Sequence, residues 1–107
     1  MADDNSPQSM DSIKWFHSIP LNEGSVTPGL DASMAKLEQI CLPEDLTGKT
    51  VLDIGAWDGF FSFQAEKAGA KRVLATDNFC WSGPGWGTKD GFDYAHKALN
   101  SKVESLD

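Results

Sequence analysis

The sequence predicts an α/β fold: a parallel sheet of about two to three strands, built like the opening of a doubly wound domain. Three observations predict it. Two short apolar runs, Thr50-Val51-Leu52-Asp53-Ile54-Gly55 and Arg72-Val73-Leu74-Ala75-Thr76-Asp77, each suit a buried strand. Between them Phe61, Ala65 and Ala68 recur at helical spacing and Gly69 provides a stop. Residues 50–77 therefore match the length of one βαβ unit, whose crossover is expected to be right-handed and its strands parallel.

The elements follow in order. Residues 1–12 contain Asp3, Asp4 and Asp11 and no basic residue, and read as an acidic disordered tail. Residues 13–45 form a lead-in segment. It begins with the apolar cluster Trp15-Phe16-His17-Ser18-Ile19-Pro20 and turns at Pro28-Gly29. A helix follows with Met34, Leu37, Ile40 and Cys41 on one face, opened by Asp31 as N-cap and stopped by Pro43. Residues 46–107 hold the βαβ unit, entered through the turn Thr47-Gly48-Lys49. A Gly- and Trp-rich loop over residues 78–91 leads to a helix from about Asp90 to Leu99, with Phe92, Ala95 and Leu99 inward and Asn100 as its stop. The last residues, Val103-Glu104-Ser105-Leu106, read as a third strand in preference to a further helical turn. A doubly wound sheet normally has five or more strands, so the chain is expected to be the N-terminal portion of a larger enzyme and inactive by itself.

Composition narrows the function classes. With 107 residues, 40% hydrophobic and 23% charged, the chain suits one small globular domain. No apolar stretch approaches the ~20 residues of a membrane span, and a signal-peptide core is absent. Two distant cysteines, Cys41 and Cys80, do not make a disulfide scaffold, so a reduced cytoplasmic setting is expected. Nine Lys and Arg against sixteen Asp and Glu give a net charge of -7, and Arg72 is the sole arginine. Without clustered cations this segment is not expected to bind nucleic acid. No metal-ligand pattern is read.

The chemistry concentrates in Asp53-Ile54-Gly55-Ala56-Trp57-Asp58-Gly59. A strand running into a glycine turn and then a helix lets backbone approach a ligand closely. A dinucleotide site needs G-x-G-x-x-G, whereas here the spacing is Gly55-x-x-x-Gly59, with Trp57 where a pyrophosphate would pass. Asp53, at the end of a buried strand, would repel a pyrophosphate but suits an ammonium. Asp77 lies 22 positions after Gly55, where an acid can accept both hydroxyls of a ribose. Adenosine bearing a cationic, ammonium-containing tail fits these requirements.

These residues resemble the first two motifs of class I S-adenosylmethionine-dependent methyltransferases, and the lead-in Leu46-Thr47-Gly48-Lys49-Thr50-Val51-Leu52 is similar to theirs. Upstream, Trp15-Phe16-His17-Ser18-Ile19 and Thr27-Pro28-Gly29 distantly resemble wobble-uridine tRNA methyltransferases that use carboxy-S-adenosylmethionine. The resemblance implies a Rossmann-like methyltransferase fold, with S-adenosyl-L-methionine as small-molecule methyl donor. It implies that Gly55 and Gly59 pass the methionine and ribose, Asp53 orients the amino end, Asp77 holds the ribose, and Asn78 and Phe79 flank the adenine. Trp57 joins this cofactor set as a departure from the commoner glycine. Catalytic residues and methyl acceptor are not named by it.

Other residues have plainer expectations. Asp58 is read as an exposed acid at a helix N-terminus before a cofactor contact, and Phe60, Phe61 and Phe63 as core before a ring for the pocket. His17 is read as a structural histidine before a general base, and His96 as solvent-facing. Trp81 and Trp86 form either a lid or a docking surface for further parts of the domain. Two other functions compete: an interaction module that self-associates through the incomplete sheet, and a nicotinamide-dependent oxidoreductase.

Overall fold

The computed structural model describes residues 9–107. Most of the expected acidic tail, residues 1–8, lies outside the described residues. Met10–Ser12 form a 3-10 turn, and the Met10 carbonyl accepts the indole N–H of Trp15 at 3.0 Å.

Six further elements follow: α1 (Ser33–Ile40), β1 (Thr50–Ile54), α2 (Phe60–Lys67), β2 (Arg72–Thr76), α3 (Asp90–Ala98) and β3 (Glu104–Leu106). The three strands form one parallel sheet in the order β1-β2-β3, with Thr50 opposite Arg72, Ile54 opposite Thr76, and Thr76 opposite Leu106. This is the α/β arrangement the sequence predicts, with the third strand in place of the alternative helical turn. Asn100, at φ 50°, ends the α3 region as expected.

The register sorts the side chains by face. Val73 and Ala75 point under the helices with Ala65, Phe60, Phe63, Phe92 and Ala95, and all of these are buried. Leu52, Ile54 and Leu106 alternate onto the opposite face, where they are 58%, 79% and 61% exposed. The expectation of a fully buried β1 is therefore corrected. Its inner side chains are covered by α2, while its outer face and one edge carry no partner among the described residues.

Helix α1 also departs from expectation. Ala32, not Asp31, is its N-cap; the Asp31 carboxylate accepts from the Ser33 hydroxyl and pairs with Lys36. Met34 and Ile40 are exposed, so the apolar stripe is not the buried face. The lead-in before it folds on itself instead. Thr27 Oγ1 accepts the Ile19 N–H and donates to the His17 carbonyl, both at 2.8 Å, and Gly29 lies so close to the Phe16–His17 backbone that a Cβ would collide with it.

Candidate functional site

Ile54 and Gly55 end β1, Thr76 and Asp77 end β2, and Leu106 and Asp107 end β3. Together with Asn78 and Phe79 they line a groove of about 390 Å³. Its position is physically meaningful, since ligands of open parallel sheets sit outside the carboxyl ends of the strands. Four residues expected at a cofactor site meet here: Gly55, Asp77, Asn78 and Phe79.

Gly55 supplies the turn out of β1. Its φ of 77° lies in the left-handed region, and a Cβ built there meets nothing within 4 Å, so the space above it is open to a ligand. The Gly55 and Ala56 amides both donate to the Thr76 carbonyl, at 2.8 and 3.0 Å, which anchors the turn to the end of β2.

Asp77 is the organising carboxylate. It is buried, and its oxygens accept the amides of Trp57 and Cys80, each at 2.9 Å. One side chain thus holds the loop after β1 and the loop after β2 at a common point. Each oxygen keeps a further acceptor direction for a hydroxyl. Asn78 donates to Ser82 Oγ at 3.2 Å and to Asp107 Oδ1 at 3.1 Å. The Phe79 ring is 63% exposed at the groove and rests on Gly85, where any side chain would collide with it. Cys80, buried beside Asp77, is no nucleophile: desolvation and the neighbouring carboxylate push its thiol up to about 11.

The other expected cofactor residues stand elsewhere. Asp53 points under the sheet and accepts the Ser62 hydroxyl at 2.7 Å; burial raises its carboxyl above the ordinary range, with Asp77 adding to the shift. Gly59, at φ 93°, caps α2 and faces the core, where a Cβ would lie 2.7 Å from Phe92 and 2.8 Å from Phe63. It is a packing glycine. Trp57 adopts a left-handed conformation at φ 57° without being glycine. Its N–H is held by Asp77, its carbonyl accepts the Trp81 indole at 2.6 Å, and its own indole stacks on Phe16 with centroids 3.7 Å apart. The indole is not among the residues lining the groove, so the expected steric obstacle to a pyrophosphate is not what this side chain provides.

Three further expectations are corrected. Asp58 is 1% exposed, and one of its oxygens, Oδ2, accepts the backbone amides of Phe16 and His17 at 2.7 and 2.8 Å. Burial raises its pKa while those two bonds oppose the shift. Trp81 is neither lid nor external dock: it is buried against Phe92, with Lys89 over its ring. His96 is half-buried and donates from Nε2 to the Val103 carbonyl at 2.8 Å. Sequence reasoning also missed Asp107 and Leu106 as groove residues. The pairing of β3 beside β2 puts them there, and no local signal announces it.

Fold and groove define a parallel α/β unit with an open groove at its strand ends. The chain is 27% identical over 106 residues, 97% of its length, to protein arginine N-methyltransferase 6 of Xenopus tropicalis. It spans 31% of that relative, so the relationship is a distant, methyltransferase-like one over a part of the longer protein. No protein-family model matches the chain.

Proposed function

We propose that this chain is the donor-binding part of an S-adenosylmethionine-dependent methyltransferase. The observation that carries the reading is the groove at the carboxyl ends of β1, β2 and β3, walled by Gly55, Asp77, Asn78 and Phe79. The residues fit the donor. Open space over Gly55 leaves room for the chain linking ribose to sulfur, Asp77 has acceptor capacity for ribose hydroxyls, and the exposed Phe79 ring offers a face for adenine. When bound, S-adenosylmethionine supplies an electrophilic methyl on a sulfonium centre. The residues here bind and orient, which is the main requirement of an in-line transfer. Asp53, half-buried and bonded to the Ser62 hydroxyl on the other side of β1, does not line the groove, so the amino end of the donor is left to other groups.

The distant relative makes a nitrogen acceptor such as arginine one candidate. The lead-in's likeness to wobble-uridine enzymes makes a carboxymethyl donor and an RNA base another, and the net charge of -7 argues against this segment supplying the RNA surface.

An amide-resolved NMR titration of the 107-residue chain with S-adenosylhomocysteine tests the reading. Saturable shifts at Gly55, Asp77 and Asn78 are expected, with Asp77→Ala weakening binding about tenfold or more, roughly 1.4 kcal/mol. A dispersed spectrum that ignores S-adenosylhomocysteine but responds to NADH would sink it in favour of the nicotinamide reading. Assembly is a second reading, favoured by the exposed Leu52, Ile54 and Leu106 on one face of the sheet and by an edge of β1 that carries no strand among the described residues. A mass by light scattering that rises with concentration and leaves the groove amides indifferent to ligand would favour it.

A further inference from the structure

Among the described residues four buried side-chain polar atoms have no hydrogen-bond partner: His17 Nδ1, Ser25 Oγ, Trp57 Nε1 and Trp86 Nε1. Three of the four belong to one ring cluster. Trp57 lies flat on Phe16, meets Trp86 edge-on at 5.0 Å between centroids, and stands 6.1 Å from His17. A buried donor without an acceptor costs roughly 1–3 kcal/mol, and such groups are few in native proteins, so three in one cluster call for an explanation.

The charges around the cluster point to the missing partner. Lys14 places its ammonium 4.0 Å over the Trp86 ring, and no carboxylate pairs with Lys14 among the described residues. Lys36, over Phe16, is already engaged by Asp31. Asp58 gives one oxygen, Oδ2, to the Phe16 and His17 amides and turns the other, Oδ1, towards Gly91 of α3. Among the described residues, two indole N–H groups and the Lys14 ammonium therefore want acceptors and negative charge. A guanidinium offers only donors and would leave both indoles unpaired.

We propose that the aromatic cluster of Phe16, His17, Trp57 and Trp86 is the methyl-acceptor subsite, and that the acceptor carries an oxyanion, a carboxylate or phosphate. This rests on the methyltransferase reading, because the cluster's place beside the donor groove is what makes it an acceptor site. Trp57 links the two, its backbone N–H donating to the groove-lining Asp77 while its side chain builds the cluster. The oxyanion takes the Trp57 and Trp86 indoles, and Lys14 supplies the countercharge. His17, kept neutral by burial, borders the same rings with a buried Nδ1 that has no partner.

The four indole N–H signals of the intact chain make the test self-referenced. Trp15 and Trp81 already donate, to the Met10 and Trp57 carbonyls, so they act as internal controls. Malonate, inorganic phosphate and N-acetylarginine amide are each titrated with S-adenosylhomocysteine present, the indoles being assigned by Trp57→Phe and Trp86→Phe. Malonate or phosphate is expected to move the Trp57 and Trp86 signals saturably and the two controls much less, with the exposed Lys14→Gln weakening binding about threefold to tenfold. Indoles that ignore both anions, or that follow the arginine amide instead, overturn the proposal. If S-adenosylhomocysteine moves Gly55 and Asp77 while the anions do nothing, the acceptor subsite alone is refuted. If the anions move the indoles and S-adenosylhomocysteine moves nothing, the donor reading fails and takes the acceptor assignment with it.

Discussion

At the residue scale, Asp58 illustrates how one side chain determines a junction. Both of its amide bonds converge on a single oxygen, so a lone carbonyl of the same reach can accept them. Asp58→Ala is expected to lose about 3 kcal/mol, because two amides in the interior lose their acceptor. Asp58→Asn should recover most of that, and urea midpoints for the pair check it. His17 carries a pH dependence. Burial, helped by Lys36 and opposed by Asp31, lowers its pKa from 6.5 to about 4. Between those values the unfolded chain holds a proton that the folded chain refuses, so stability falls as pH drops from 6.5 towards 4. The full difference is on the order of 3 kcal/mol at about 1.4 per unit. Asp53 and Asp58, with pKa values raised by burial, work in the opposite direction, so the comparison must be against His17→Gln. Denaturation at pH 7, 5.5 and 4 should show a flatter slope for that variant; equal slopes would refute the assignment. Neither behaviour was legible in the sequence. Asp58 looks like an ordinary helix-start acid, and nothing near it reveals which distant amides lack an acceptor.

At the scale of elements, two glycines of one turn do different work. Gly55→Ala meets only the cost of a left-handed φ, about 1 kcal/mol, since no atom stands where the Cβ would go. Gly59→Ala adds a collision with Phe92 and Phe63 and should cost about 3 kcal/mol or more. Thermal melts separate them, and Gly55→Ala should weaken S-adenosylhomocysteine binding where Gly59→Ala weakens the fold. The sequence spacing identifies both glycines without distinguishing them. Strands, α2 and α3 were legible because their periodicity and stops are local. The faces of β1 and α1 were not, because burial depends on which layer arrives opposite. Trp81 was misread for the same reason: its pocket is made by Phe92 and the Trp57 carbonyl, on two other elements.

At the scale of the whole molecule, the candidate groove is assembled from three strand ends, of which the first two were legible as groove walls and the third only as a strand. Gly55 and Asp77 could be found because a turn and a strand terminus leave marks in sequence, whereas Asp107 enters only through the pairing of β3 with β2. The Asp58 junction also has a consequence in time. Its partners lie 42 and 41 positions upstream, so the Phe16 and His17 amides have no acceptor until the turn between β1 and α2 exists. That turn belongs to a unit closed by short-range pairing across residues 50–76, while seating the lead-in requires closing a much longer loop. In pulse-labelled hydrogen exchange, the amides of Phe16 and His17 should gain protection after that of Val73; simultaneous protection would show that the lead-in has some other early anchor. During synthesis the lead-in would then emerge before the unit that receives it and be among the last parts to settle, waiting for a single oxygen made some forty residues later.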